Sequence, residues 1–357
     1  MPGPGSLQLI QRPTVEADGQ PQPALTANLL RMSVLENVTG LHRCQAAFQN
    51  WGTVGRGRAS TTGFLYFDRA LLDFGKHVAI KLPTGTIMEG AITAMGANFS
   101  AGASPELTIV AEDRFHDLRV VPRTRTFEDV SDSDILYQIA SDHGLSADVD
   151  LSGPTYKIVA QLNQSDLAFL RARARLCDAE LWIHGQQLHV KNRSRPAAAE
   201  PLQLNFGGSL TGFTVVADAA SQPTRVSATA WDVASKAPNT GDANESVLGA
   251  QLHGGSSGAR IVATAFGERR LNVPLSPSDP RAQAETVFRT FAQRFVVGHG
   301  TAQADARIAV GAMVRVTGLG ALFSGLYYVS EVNHLFDLQT GATTRFTVES
   351  PAVGQTQ

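Results

Sequence analysis

At 357 residues the chain is too long for one ordinary core, and 43% hydrophobic with 17% charged residues suits a globular protein of two or three packed units. A formal charge of −2 without a clustered excess of lysine and arginine argues against a protein that coats nucleic acid, since phosphate neutralisation needs such clusters. Two cysteines cannot make a disulfide framework, no apolar window approaches the length of a membrane span, and the residues after Met1 lack the charged and apolar regions of a signal peptide.

In chain order, residues 1–24 carry Pro2, Pro4, Pro13, Pro21 and Pro23, which suppress helix and central strand and predict an extended arm or edge segment. From Leu25 to Val121 short β-like runs alternate with Gly and Asn: Leu29–Leu35, Arg43–Phe48, Gly63–Phe67, His77–Leu82, Ile87–Met95 and Leu107–Ala111. That spacing predicts a small antiparallel barrel or sandwich. Trp51–Arg58 is glycine-rich with Arg56 and Arg58, but no Lys-Ser/Thr ending and no helix signal follow, so it reads as a strand connection rather than a phosphate loop.

The stretch Thr126–Lys191 reads as two helices and a hairpin. Ser131 caps the first helix, with Asp134 at its third position and Val130 facing Ile135 as a hydrophobic staple. Ile135, Leu136, Ile139 and Ala140 form its buried face, and Gly144 ends it. For the second, Asn163 is the expected cap with Asp166 three residues on and a Leu162–Leu167 staple. Leu167, Leu170, Ala174 and Cys177 make its apolar stripe, widened by Phe169 and Leu176. Glu180–His184 and Gln187–Lys191 then alternate about Gly185-Gln186, with Leu181, Ile183, Leu188 and Val190 on one face and Trp182, His184, Gln187 and His189 on the other.

Beyond it, Leu202–Asp232 alternates as strands, while Ala234–Arg260, rich in Gly, Ser and Asn, reads as a long mobile connection. Asp279 then caps a helix with Pro280 at its first position and Ala284, Val287, Phe288, Phe291, Ala292 and Phe295 on one face. An internal echo links the two halves. Gly75-x-x-Val78-x-Ile80 is followed by Glu89-Gly90-x-Ile92, and Gly311-x-x-Val314-x-Val316 by Ser324-Gly325-x-Tyr327. Both copies read as a glycine, an alternating strand, a turn and a second glycine that opens another strand, the pattern of a duplicated β unit.

Candidate chemistry gives way to local explanations. The acidic group Glu128, Asp129, Asp132 and Asp134 sits where a helix N-terminus favours carboxylates, and Ser165 and Asp166 stand at the next helix start. His184 and His189 share a hairpin face but lack a third ligand at metal spacing. His334, at a strand end, reads as a hydrogen-bonded structural histidine, and Cys44 and Cys177 as small buried residues. No catalytic, cofactor or metal residue is assigned, and no H-E-x-x-H pattern occurs.

The order of these words resembles the phage late control D family, which forms the hub of contractile tail baseplates and the N-terminal part of VgrG proteins. The words are Thr126-Phe127, Ser133-Asp134-Ile135-Leu136, Ile139-Ala140, Gly144-Leu145, Gln161-x-Asn163-x-Ser165-Asp166, Phe169-Leu170 and the hairpin ending in Leu188. The chain's ending matches too, in Gly311, Gly325-Leu-Tyr-Tyr-Val329, His334, Gly341 and Thr343-Thr344-x-Phe346.

The resemblance implies an α+β, mainly β fold of two similar antiparallel β-barrels and a helical α/β part, in discontinuous domains. These would be an arm at 1–24, a first barrel at 25–122, an α/β part at 123–200 with 236–300, a second barrel at 201–235 with 301–350, and a tail at 351–357. It further implies a structural protein rather than an enzyme, built in the cytoplasm and carried in a phage tail or tail-like particle. As a homotrimer it would adapt a sixfold tube to a threefold spike, with tube protein, spike protein and baseplate wedge proteins as partners and neither nucleic acid nor membrane. Only Ser350–Gln357 follow the last family-like strand, so the spike is expected on a separate polypeptide. The rivals are a tail-associated cell-wall hydrolase, which needs a catalytic pair, and a DNA-binding late regulator, which needs a basic recognition helix.

Overall fold

A computed structural model describes residues 11–38, 40–55, 60–151, 153–193, 200–232, 236–273 and 279–354. The fold is α+β and mainly β, in two units of interleaved segments. The first unit holds Met1–His116, Thr301–Val310 and Glu331–Phe346; the second holds Asp117–Gly300, Gly311–Ser330 and Thr347–Gln357.

In the first unit the strands Thr14–Ala17, His77–Leu82, Gly85–Asn98, Glu106–Glu112, Arg43–Gln49 and Leu29–Asn37 are neighbours in that order, all antiparallel. Residues 331–337 add to the last of them, Glu331 opposite Asn37 and Asp337 opposite Arg31, and Gly341–Ser350 follows. The Ala342 amide then donates to the Gln11 carbonyl, just ahead of the first strand, which closes the ring. Val15, Val34, Ile80, Ile92, Ile109 and Phe336 share one core, as a sheet curled into a barrel requires.

Two boundaries differ from the sequence expectation. Part of the expected arm, Thr14–Ala17, is a strand of the wall, because Val15 at 0% exposure supplies core surface. Residues 331–346, expected in the second barrel, belong to the first unit through their register with 31–37.

In the second unit the strand segments are neighbours in the order Leu210–Ala217, 296–300, 347–350, 325–330, Met313–Thr317 and Leu202–Asn205. A bridge between Phe206 and Leu210 joins its two ends. One pairing is parallel where only antiparallel pairs were expected: Leu202–Asn205 beside Met313–Thr317.

The α/β part of this unit follows the local chemistry closely. Ser131 accepts from the Asp134 amide and Asp134 answers in a complete capping box for helix Asp132–Asp142. At its end Gly144 takes φ +67°, while the Gly144 and Leu145 amides bond the Ser141 and Ala140 carbonyls in a Schellman pattern. The hairpin Ala179–His184 with Gln187–Asn192 turns at Gly185 and buries Leu181, Ile183, Leu188 and Val190, as read from the sequence. Asp279 caps the 14-residue helix Pro280–Gln293, whose Ala284, Phe288 and Ala292 pack on Val226, Ala228 and Ala243.

The second central helix is corrected in detail. Its cap is Ser165, which accepts from the Ala168 amide, and not Asn163. The chain remains a strand from Tyr156 to Ser165 because it pairs with Pro122–Val130, and Asn163 sits at a bulge in that ladder with φ +49°. Leu162 is 65% exposed and forms no staple, and Leu176 is 52% exposed and does not widen the buried stripe.

The expected mobile connection is also corrected. Ala237–Asn244 is a strand in full register with Arg225–Asp232, followed by a 3-10 helix at Glu245–Leu252 and an α-helix at Gly258–Ala265. Glycine here serves close packing: a Cβ on Gly241 would lie 2.2 Å from the Arg281 amide nitrogen, at the start of the long helix.

Candidate functional site

The residues singled out in the sequence are held apart. Glu128 and Asp129 are exposed, and Asp134 is spent on the capping box. Asp132 is buried against the Arg173 guanidinium, accepts from the Tyr156 hydroxyl at 3.2 Å and lies 3.4 Å from the Cys177 thiol. Burial, with Asp132 beside it, pushes that thiol up to about 12, and burial alone does the same for Cys44, so neither is a thiolate at neutral pH.

Asp166 is 1% exposed and meets Arg125 at 2.9 Å, His143 at 2.8 Å and Gln161 at 2.9 Å, with Arg123 at 3.3 Å. Against the effect of burial, His143, Gln161 and the two arginines hold its carboxyl below the ordinary range. Removing a partner would leave a buried charge, so this network fixes the junction of helix and ribbon.

His184 is exposed, whereas His189 stacks on Trp182 with ring centroids 5.3 Å apart and bonds Asp148 at 3.1 Å. Among the described residues no group of three or more His, Cys, Asp and Glu side chains is placed to hold a metal. His334 is buried with Nδ1 2.9 Å from Thr344 Oγ1 and is pushed by burial down to about 4, in keeping with the structural role read from the sequence. Trp51–Val54 pairs with Thr61–Phe64 as a hairpin, and Arg56 and Arg58 lie outside the described residues.

Two features escaped sequence reasoning. On the first unit, Trp51, Phe64, Phe67 and Phe99 form a chain of ring contacts with centroids 4.8 to 6.2 Å apart, although Phe99 is 63% exposed. Clustered exposed aromatics of this kind mark contact surfaces more often than scattered apolar residues do.

Within the second unit is a cavity of about 280 Å³ whose wall includes Arg193, Tyr328 and Glu349. Arg193 bonds Glu349 at 2.5 Å, lies 3.6 Å from Glu180 and stacks on the Tyr328 ring at 4.0 Å. The Tyr328 hydroxyl donates to Glu180, and burial pushes the Glu180 carboxyl up to about 7. Gln251 Oε1, Gln293 Nε2 and Arg289 Nε, all on residues that line this cavity, are buried without a hydrogen-bond partner among the described residues. Each such atom costs about 1–3 kcal/mol. Isolated glutamines at positions 251 and 293 carry no pattern that could have announced this convergence.

The Alg8 N-terminal domain family matches the sequence over residues 53–337. None of the curated proteins matches it. Among solved structures, the 43 kDa tail protein of prophage MuSo2 from Shewanella oneidensis is 11% identical, with a TM-score of 0.67 over 96% of this chain and 98% of that one. The tail protein from Neisseria meningitidis MC58 is 10% identical, with a TM-score of 0.64 over 95% of this chain and 96% of that one. The E. coli c3393 protein, described as a type VI secretion system component similar to T4 bacteriophage tail proteins gp27 and gp5, is 12% identical, with a TM-score of 0.62 over 96% of this chain and 79% of that one. At these identities the likeness is one of fold.

Proposed function

This chain belongs to the Alg8 N-terminal domain family, and from its tail-protein fold we propose that it is the structural hub of a contractile, phage tail-like baseplate. In this reading three copies form a ring in which two β units from each chain alternate, presenting six similar positions to a sixfold tube and three to a spike. The late control D words quoted above support the same assignment. Its partners are then itself, the tube protein, the spike protein and the wedge proteins, and its place is in the assembled particle.

The observation that carries the proposal is that the same β device, left-handed Gly75 before His77–Leu82 and left-handed Gly311 before Met313–Thr317, opens a hairpin in each unit. A threefold assembly gains sixfold appearance only from such internal repetition. A hub needs no catalysis, and Asp132, Asp134, Asp166 and His334 serve caps, ion pairs and hydrogen bonds.

Co-expression with the tube and spike proteins of the same locus tests it. A complex holding three copies of this chain, measured by native mass spectrometry, is the expected product. A chain that binds neither partner, or that degrades peptidoglycan when purified, overturns the reading.

A further inference from the structure

We propose that the junction between the hairpin of residues 179–192 and the strand segments 325–330 and 347–350 is a proton-operated latch, closed while Glu180 is neutral and loosened when it is charged. This goes beyond the hub reading and does not rest on it.

Three carboxylates meet one guanidinium at the base of the hairpin. Glu180 lies in its first strand, Arg193 just after its second and Asp178 just before its first, while Tyr328 and Glu349 face them from the neighbouring strands. The side chains of Asp178, Glu180, Arg193 and Glu349 are 8, 13, 11 and 11% exposed, so water screens their charges little. Arg193 reaches Glu349 at 2.5 Å and Glu180 at 3.6 Å and lies over the Tyr328 ring, and thus serves two acids at once.

The surrounding charges do not make up the difference. From the long helix, Arg289 is 4.0 Å from Asp178 but only 3.1 Å from Glu285. Arg294 is 3.8 Å from Glu349 and 71% exposed, where a pair is weak. His253, on the wall of the adjoining cavity, is held below its usual range by burial and by Arg315 and brings no charge at neutral pH.

Glu180 is where the excess is relieved. A neutral Glu180 still accepts from the Tyr328 hydroxyl and leaves Arg193 to Glu349. An ionised one sets a second negative charge beside Glu349 with little water around either, and both regain hydration if the hairpin base parts from the two strands. The cavity of about 280 Å³, walled in part by Arg193, Tyr328 and Glu349, leaves these side chains room to separate.

The direction of the switch follows from the same groups. Burial, aided by Glu349 and Asp178 and opposed by Arg193 and the Tyr328 hydrogen bond, raises the Glu180 carboxyl from 4.5 to about 7. Its contribution to closure is therefore complete below 4.5 and lost as pH rises through 7. Asp178, raised by burial from 3.8 to about 6, acts in the same sense at lower pH.

Hydrogen exchange of the full chain from pH 5 to 7.5, with each rate divided by the intrinsic chemical rate at that pH, tests the latch. Protection of residues 179–193 should fall at least about tenfold across this range, while the helix Asp132–Asp142 keeps its own. Glu180→Gln, neutral at every pH, should remove most of the fall. Glu349→Gln takes away the like charge and frees Arg193 for Glu180, so it should move the midpoint to lower pH; this shift decides the matter if Glu180→Gln fails to fold. Protection of residues 179–193 that ignores pH, a fall in Glu180→Gln as large as the parent's, or a Glu349→Gln midpoint that stays or rises overturns the proposal.

Discussion

Gly75 and Gly311 hold the same place in two different β units. Gly75, at φ +76°, donates its amide to the Ile92 carbonyl at 2.8 Å, and the Ile92 amide returns to Lys76 at 2.9 Å. Gly311, at φ +85°, donates to Val329 at 3.0 Å, and the Val329 amide returns to Ala312 at 3.0 Å. In each case a strand begins two residues later. The second glycines of the echo are not equivalent: Gly90 lies inside the strand Gly85–Asn98 opposite Val78, while Gly325 opens its strand opposite Val316.

Alanine substitutions should separate these roles. Gly75→Ala meets no atom within 4 Å and Gly311→Ala meets only the Tyr328 hydroxyl at 3.8 Å, so each should lose about 1–2 kcal/mol from left-handed strain alone. Gly90→Ala would place a Cβ 2.2 Å from the Glu112 carbonyl oxygen and should lose about 3 kcal/mol. Urea unfolding of the three variants reads the difference, and equal losses would contradict the assignment.

For the second central helix, Ser165→Ala should cost about 1 kcal/mol through its lost bond to the Ala168 amide. Asn163→Gly, at a left-handed bulge position, should stay within a few tenths of a kcal/mol of the parent, or gain stability. Thermal melts decide; the reverse order would restore Asn163 as the cap.

Two buried groups give opposite pH dependences. The unfolded chain protonates a histidine near 6.5 but folded His334 only near 4, so its contribution to stability falls as pH drops through that window, by up to about 3 kcal/mol. Glu180 is raised from 4.5 to about 7, so its contribution is complete below 4.5 and is lost as pH rises through 7. In urea unfolding from pH 4 to 7.5, His334→Gln should gain on the parent as pH falls, and Glu180→Gln should lose on it. Profiles parallel to the parent's would refute both assignments.

What the sequence made legible was local. The Ser131 capping box, the Gly144 stop, the turn at Gly185 and the Asp279 cap each depend on residues within a few positions, and each formed as read. Asn163 misled because its fate is set by the ladder with Pro122–Val130 and by Asp166, whose charge is satisfied by Arg125 from 41 positions away. The Gly-, Ser- and Asn-rich stretch after Ala237 lacked hydrophobic periodicity, yet its small residues are what let a strand lie directly under a helix. The placement of residues 331–346 in the first unit rests on a register with residues 31–37, and the cavity polar groups come from segments on either side of residue 300; neither relation has a signature along the chain.

The central claim, that three chains with two related β units each make the adaptor between tube and spike, is tested most directly by cryo-electron microscopy of the assembled particle. The account predicts three copies of this chain between tube and spike, their six β units alternating around the axis with the Gly75 and Gly311 hairpins at equivalent places in the ring. Six copies, or a ring in which those hairpins occupy unrelated positions, would contradict it.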